Sequence, residues 1–388
     1  MIVMNILFIS SYFYPDGGGA ENYAYNIAKG LVKRGHEVTV ICSSKNGSSY
    51  EEFLDGIRVI RLKYDFTIST APIRLPLFYE VYRMIKKEKF GIININFHLP
   101  YYPDIAAFLS KMCKIPSVLT YHNDIVKRET LTNLIAQIYN YSINKISLHA
   151  VDLIITPSPY CYNESKYLKN YKNKLIWIPP GVDIDKYPCK KSYRIHELYN
   201  IPSSSKIVLF VGVMSKAHTH KGVDYLIRAF KRVLKEINDV YLVLVGRGDM
   251  IPEYRKLCNE LGISDNVIFT GFVDDKELVE YYCSSDIVVL PSITVQEGFG
   301  MVLIEAGACG RPVIGSEIGG IKYVIREGET GLLVPPRNVD ALAEAIIKIL
   351  KDEDLAKKLG KNGRKLVEKN YTWDISVKKT IKVYEELI

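Results

Sequence analysis

"KIVLFVGVMSKAHTHKGVDYLIRAF" occupies residues 206–230. Its first third is an unbroken β-branched and aliphatic run. A run that does not alternate with polar residues marks a strand buried on both faces. Glycine and polar residues follow, and then Leu226, Phe230 and Val233 fall at helical spacing. "VYLVLVG" (240–246) is a second buried strand. Strand, glycine loop, helix and strand within about forty residues imply parallel strands joined by a crossover helix.

The same order appears once more, in "NILFISSYFYPDGGGAENYAYNIAKGLVKRGHEVTVI" (5–41), with Tyr23, Ile27 and Leu31 on the helix stripe. Between the two copies come short apolar runs at 91–97, 116–122, 152–158 and 174–181, each closing on polar or Pro/Gly residues. After the second copy come runs at 266–272, 286–292, 311–316 and 330–336, and a helical stretch at 340–350. The expected fold class is α/β, with two Rossmann-like, doubly wound parallel-sheet domains facing a central cleft. The proline-punctuated stretch 183–203 reads as the link. The expected domains are 1–185, joined by the C-terminal helix 372–388, and 186–371.

Bulk properties narrow the class. The 388 residues are 48% hydrophobic and 24% charged, an ordinary globular balance. No run approaches the ~20 apolar residues of a membrane span. "MIVMNILFISSYFYP" lacks a basic leader and a small-residue cleavage site, so it reads as a first strand and not an export signal. Seven cysteines, none spaced CxxC, fit reduced, mostly buried thiols in a cytoplasmic protein. The net charge of +8 is concentrated in residues 1–183, where 21 Lys+Arg face 15 Asp+Glu. Such an excess favours phosphate-bearing substrates or an anionic membrane face. For its densest run, "YRMIKKEKF" (82–90), a solvated helix face is the plainer reading.

In open parallel sheets, ligands bind beyond the carboxyl ends of the strands. The residues directly after strands therefore matter most. "QEGFGMVLIEA" (296–306) follows a strand stopped by Pro291, and its helix is expected to begin near Gly300. Small residues at a helix start leave backbone N–H groups open to an anion. Glu305 lies ~8 Å along that helix, and Glu297 stands before it. A diphosphate at the helix start would have one carboxylate on each side, one for a nucleotide ribose and one for a hexose. The alternative is an acid near a helix start and a chance buried acid, and spacing alone does not choose.

With these residues in view, the chain resembles a retaining glycosyltransferase of family 4 with the GT-B fold, over nearly its whole length. Glu297 and Glu305 fit the family's Glu-x7-Glu signature. "GGAENYAYNIAKGLVKRGHEVTVI" resembles its first loop and helix. "WIPPGVD" resembles its linker motif and "KGVDYLIRAF" its phosphate-lysine helix. "FTGFV" resembles its base-binding strand and "EGETGLLVPP" its late loop. The resemblance implies that Glu305 binds the ribose hydroxyls, and that Glu297 binds the donor sugar near the reacting carbon. Phe299, Gly300, Met301 and Val302 would offer backbone donors. Lys221 would neutralise the phosphates, and Gly19 would let the front-domain loop approach them. Val273 would meet the base, and His122 would sit near the donor sugar. Metal-independent binding of a UDP-, GDP- or ADP-sugar, with no cofactor, is implied as well.

One position departs from the family pattern. An Arg is usual soon after the glycine of the first back-domain strand, but here Gly212 precedes Val213, Met214 and Ser215. A diphosphate leaving group gathers charge as its bond breaks and needs cations. Lys216 is the expected substitute, with His218 or His220 assisting, and Arg247 is a further strand-end cation. A metal at the His-x-His is the lesser reading, since no third ligand is near in sequence. His98 and Asp104, in "NFHLPYYPD", read either as acceptor-side residues or as turn chemistry, and both remain open.

The resulting expectation is a hexosyltransferase of glycan or glycolipid synthesis. Its acceptor would be a glycan or a lipid-linked sugar. It would be cytoplasmic, either free or at the inner membrane face, with no nucleic-acid partner. Two alternatives are a non-catalytic nucleotide-sugar-binding subunit and a nucleotide-sugar epimerase on the same fold. A dinucleotide oxidoreductase is weaker, because the loop is "DGGGAEN" and not G-x-G-x-x-G.

Overall fold

A computed structural model describes residues 3–125, 130–188 and 190–388 of the chain. Contacts divide it into two compact units. One comprises Met1–Pro180 with Trp373–Ile388, and the other Gly181–Thr372.

The first unit is built on an eight-stranded sheet. Its strands are β1 (Asn5–Ser10), β2 (Glu37–Ser44), β3 (Tyr50–Leu54) and β4 (Ile57–Lys63), then β7 (Ile92–Phe97), β8 (Ser117–Tyr121), β9 (Leu153–Thr156) and β10 (Leu175–Trp177). A separate small hairpin pairs β5 (Phe66–Ile68) with β6 (Ala71–Ile73). The order is β10-β9-β8-β7-β1-β2-β4-β3, parallel except for β3 against β4. The β3–β4 hairpin is absent from the sequence reading above. Its signal was present: Asp55 and Gly56 both take positive φ (50° and 81°), which is the Asp-Gly turn of a tight hairpin.

The sheet is covered on both faces, which explains the unbroken apolar strands. Ile6 and Phe8 of β1 face one core, and Leu7 and Ile9 face the other. The helix Trp373–Glu385 closes the first of these cores with Val377, Ile381 and Tyr384. It packs on the helix Gly19–Val32, and a Cβ at Gly30 would collide with Val377. The Tyr384 hydroxyl meets the Asn94 amide, and Trp373 stands edge-on to Tyr23. The chain's last helix is thus part of the first unit's core.

The second unit is a six-stranded, all-parallel sheet. It comprises β11 (Lys206–Val211), β12 (Val240–Val245), β13 (Val267–Gly271), β14 (Ile287–Leu290), β15 (Val313–Ser316) and β16 (Gly331–Val334). The order β13-β12-β11-β14-β15-β16 is doubly wound, and it reverses between β11 and β14. Loops leaving those two neighbours diverge and open a crevice at their carboxyl ends. The first sheet has the same reversal between β1 and β7.

Of the six described cysteines, all but Cys113 are buried; Cys189 lies outside the described residues. Among the described residues no helix is long and apolar enough to cross a membrane.

Candidate functional site

In the second unit, the loops after β11 and β14 are drawn together by backbone contacts. Gly222 ends the 3-10 turn Lys216–Lys221 with φ +69° and starts the helix Val223–Glu236. A side chain there would strike the Pro291 carbonyl, so glycine is required by conformation and by space. The Ile293 N–H donates to the His220 carbonyl at 2.7 Å. This approach brings Lys221 Nζ to 2.8 Å from Glu297 Oε2, with the two side chains 18% and 14% exposed. The lysine stem passes over Gly212, where a Cβ would lie 3.0 Å from Lys221 Cδ. Ser292 Oγ stands 3.5 Å from the same carboxylate oxygen. Burial would raise the Glu297 pKa, but the charge and hydrogen bond of Lys221 outweigh it and hold the group below its usual value.

The turn after β15 braces this arrangement from the other side. The Gly320 N–H donates to the Glu297 carbonyl at 2.9 Å. A Cβ at Gly320 would overlap the Gly298 carbonyl. Gly319 and Gly320, in "EIGGIKY" (317–323), were not among the expected site residues; a Gly-Gly pair two residues beyond a strand was the available signal.

Gly300, at φ +85°, precedes the helix Met301–Ala308, and no side chain caps that helix start. Phe299 turns its ring into the core, edge-on to Tyr371 at 5.6 Å. Met301 and Val302 occupy the first turn, half-buried. Glu305, further along, accepts a 2.5 Å hydrogen bond from the Tyr282 hydroxyl. Tyr282 is fully buried, and the Tyr187 ring lies 6.3 Å from its ring. Burial lifts the Glu305 carboxyl to about 7, against the lowering effect of the Tyr282 bond and with a small push from Asp275. Tyr282 is the partner that sequence spacing could not supply, because it comes from the preceding helix.

Two further expected site cations, Lys216 and Arg247, sit toward β12 and β13. The Lys216 N–H donates to Asp249 Oδ1 at 2.8 Å, while its side chain is exposed. Gly248 lies against the Met214 carbonyl so closely that any side chain would collide. Arg247 is exposed, with its guanidinium 5.3 Å from the Phe272 ring centre, one residue before Val273. Arg247 and Val273 therefore share one corner, at the ends of adjacent strands. His218 Nδ1 is 2.7 Å from Ser215 Oγ. Among the described residues, no three His, Cys, Asp or Glu side chains group as metal ligands.

In the first unit, Gly19 opens the helix Gly19–Val32, and a Cβ there would meet nothing within 4 Å. The conformationally required glycine is Gly17, at φ +132° and against the Glu21 side chain. Glu21, itself buried, accepts from the Gly18 N–H at 2.7 Å.

His122 directly follows β8. Its Nε2 is 2.9 Å from Asn96 Oδ1 on β7, and its ring is edge-on to Tyr23 at 5.5 Å. Burial, with a smaller contribution from His98, lowers its pKa to about 3, so the imidazole is neutral at physiological pH. Asn96 was not singled out in the sequence; it is the second of two buried asparagines in β7, after Asn94, and is 2% exposed. Its Nδ2 and His98 Nδ1 have no partner among the described residues.

Asp104 is committed elsewhere. It accepts from the Tyr101 N–H (2.8 Å), the Tyr139 hydroxyl (2.9 Å) and Ser147 Oγ (2.6 Å). It caps the helix Tyr102–Cys113 and ties two further helices to it. Of the two readings left open for Asp104, the geometry supports the local, structural one.

Comparison with known proteins identifies the family. The model of glycosyl transferases group 1 matches residues 193–366, and that of glycosyltransferase family 4 matches residues 17–186. An uncharacterized glycosyltransferase of Methanocaldococcus jannaschii is 30% identical, covering 95% of this chain and 94% of its own length. The O-antigen chain mannosyltransferase C of Escherichia coli is 28% identical over 99% of both. Among solved structures, Anabaena HepE in complex with UDP aligns over 99% of this chain and 100% of its own with TM-score 0.78 at 21% identity. The chain belongs to the group 1, family 4 glycosyltransferases, and its fold is GT-B.

Proposed function

We propose that this glycosyltransferase moves a hexose from a nucleoside-diphosphate sugar to an acceptor hydroxyl, with retention of anomeric configuration and without a metal. The observation that carries the proposal is the Lys221–Glu297 pair at the start of the helix Met301–Ala308. The Lys221 ammonium, paired with Glu297, and the uncapped helix start four residues beyond Glu297 are the two proposed sources of positive charge for a diphosphate. A donor pyrophosphate would take the ammonium from Glu297 and free the carboxylate for the sugar's hydroxyls. Glu305 would accept from the ribose. Phe299, Gly300, Met301 and Val302 would contribute backbone donors, and Val273 with Arg247 would contact the base. Lys216 would supply the second cation that the family's Arg usually provides. The mannosyltransferase relative and the UDP complex of HepE support a donor of this class.

In the proposed reaction the bond from the anomeric carbon to the diphosphate oxygen breaks, and charge collects on the leaving diphosphate. Lys221 and the helix-start amides stabilise that charge, the kind of preorganised electrostatics that dominates such barriers. The acceptor hydroxyl attacks from the same face, and its proton passes to a donor phosphate oxygen. Glu297 orients the sugar and is not a nucleophile. His122 is proposed to act as a neutral hydrogen-bonding group.

The test is incubation with UDP-, GDP- and ADP-sugars, reading nucleotide release with and without acceptor-bearing lipid extract, followed by product analysis. Glu305→Ala should weaken donor binding by about 10- to 100-fold, the worth of a charged hydrogen bond. Glu297→Ala should mainly lower turnover, by about 100-fold. Small, equal effects from both would remove the assignment. A non-catalytic donor-binding role is favoured by one observation, the exposed Val213 where a cation is usual. Donor binding without acceptor-dependent release would establish it, and release of an epimer without any acceptor would mark an epimerase.

A further inference from the structure

The carboxylate assigned to the ribose is held from a neighbouring helix. Glu305 stands on the helix Met301–Ala308, and the hydroxyl 2.5 Å from its Oε2 belongs to Tyr282, on the helix Asp275–Ser284. Glu305 is half-buried, whereas Tyr282 is fully buried. The tyrosine therefore cannot meet a ligand itself, and anything it does for one passes through Glu305.

The residues flanking Tyr282 are each tied to a different neighbour. The Tyr281 hydroxyl is 2.8 Å from that of Tyr199. Cys283 Sγ is 3.7 Å from Cys309 Sγ, and Ser284 Oγ accepts from the Ile195 N–H at 3.4 Å. Cys309 lies one turn beyond Glu305, its N–H donating to the Glu305 carbonyl at 3.1 Å. The two helices thus meet at two points, Tyr282 on Glu305 and Cys283 on Cys309. Turning the tyrosine away would break contacts to several elements at once. A glutamate left to rotate freely loses that freedom when it meets a ligand. Bound to a locked hydroxyl, it has lost the freedom beforehand, and such preorganisation raises affinity. A bond to one carboxylate oxygen also leaves the other as an acceptor.

We propose that Tyr282 is a positioning residue of the donor site, whose hydroxyl fixes the Glu305 carboxylate in the orientation that accepts from the ribose. This rests on Glu305 as the ribose acceptor, and the experiment separates the two. UDP, GDP and ADP are titrated calorimetrically into the full chain. The tightest is then compared with its 2′,3′-dideoxy counterpart, which lacks the ribose hydroxyls. Tyr282→Phe keeps the ring in the core and removes only the hydroxyl. It should weaken the ribonucleotide about fivefold, the worth of one hydrogen bond, and leave the dideoxy nucleotide at the parent's affinity. A role in packing alone would weaken both alike. Tyr281→Phe takes a hydroxyl from the same helix without touching Glu305, and should alter neither. Glu305→Ala should weaken the ribonucleotide and spare the dideoxy form. If Glu305→Ala weakens both equally, or the parent chain binds no nucleotide, the ribose assignment fails and the role of Tyr282 falls with it. If Glu305→Ala discriminates and Tyr282→Phe does not, or Tyr281→Phe matches Tyr282→Phe, the role of Tyr282 alone is overturned.

Discussion

Replacing Glu305 with Gln should stabilise the second unit, and by an amount that depends on pH. In the fold the carboxyl titrates at about 7, against 4.5 for the same group unfolded. At pH 8 both states are ionised, and the fold bears the full cost of a buried carboxylate. The difference of about 2.5 units, at 1.36 kcal/mol each, is about 3 kcal/mol. Below pH 7 the folded group takes up a proton, and the cost shrinks. At pH 5 it is less than about 1 kcal/mol, because the unfolded group is by then protonated in part. Glutamine is neutral throughout, and its carbonyl can still accept from Tyr282. Glu305→Gln should therefore raise stability by about 2–3 kcal/mol at pH 8 and by little at pH 5. For a unit of this size that is about 2–4 °C of Tm per kcal/mol. Calorimetry at the two pH values measures it. Trp177 and Trp373 both belong to the first unit, so their fluorescence is a control that reports the other domain. A gain equal at both pH values, or a loss at pH 8, would refute the account of Glu305 as a carboxylate held against its own solvation.

Three further outcomes follow from the geometry. Lys221→Met leaves Glu297 without its cation; breaking a buried pair costs about 3–5 kcal/mol, and the residual exposure here reduces that to about 2–3. The same change should raise the Glu297 pKa, which carboxylate infrared bands read directly, and Lys221→Met with Glu297→Gln should recover most of the loss. Gly222→Ala should destabilise by more than about 2 kcal/mol, whereas Gly262→Ala, also at positive φ but with open space around it, should cost only the ~1 kcal/mol of left-handed strain; urea midpoints compare the two. The His122 imidazole should show no titration between pH 5 and 9 by NMR, because burial, with a smaller contribution from His98, holds the ring neutral; a titration inside that window would refute this account.

The parallel sheets were legible because a strand covered on both faces has no polar side to display. Unbroken runs such as "KIVLFV" and "VYLVLV" therefore speak for themselves. The candidate site was legible in part for a related reason: a chain that reverses its strand order must place its ligand loops after particular strands, so Glu297 and Glu305 drew attention by position, while Lys221 was singled out by the resemblance to the family. Gly300 added to this as the expected helix start, and the structure shows it at positive φ.

What sequence order did not carry was partnership across the fold. Tyr282 beneath Glu305, Asn96 beside His122, and the Gly319–Gly320 turn against the Glu297 loop each join residues about 20 or more positions apart. The free energy of such a contact depends on distance and burial, which only the packed sheets fix. The strands, their direction and the ligand-bearing loops were set by local patterning. Which carboxylate is held ionised by an ammonium, and which is lifted toward neutrality by burial, was decided when the helices closed over them.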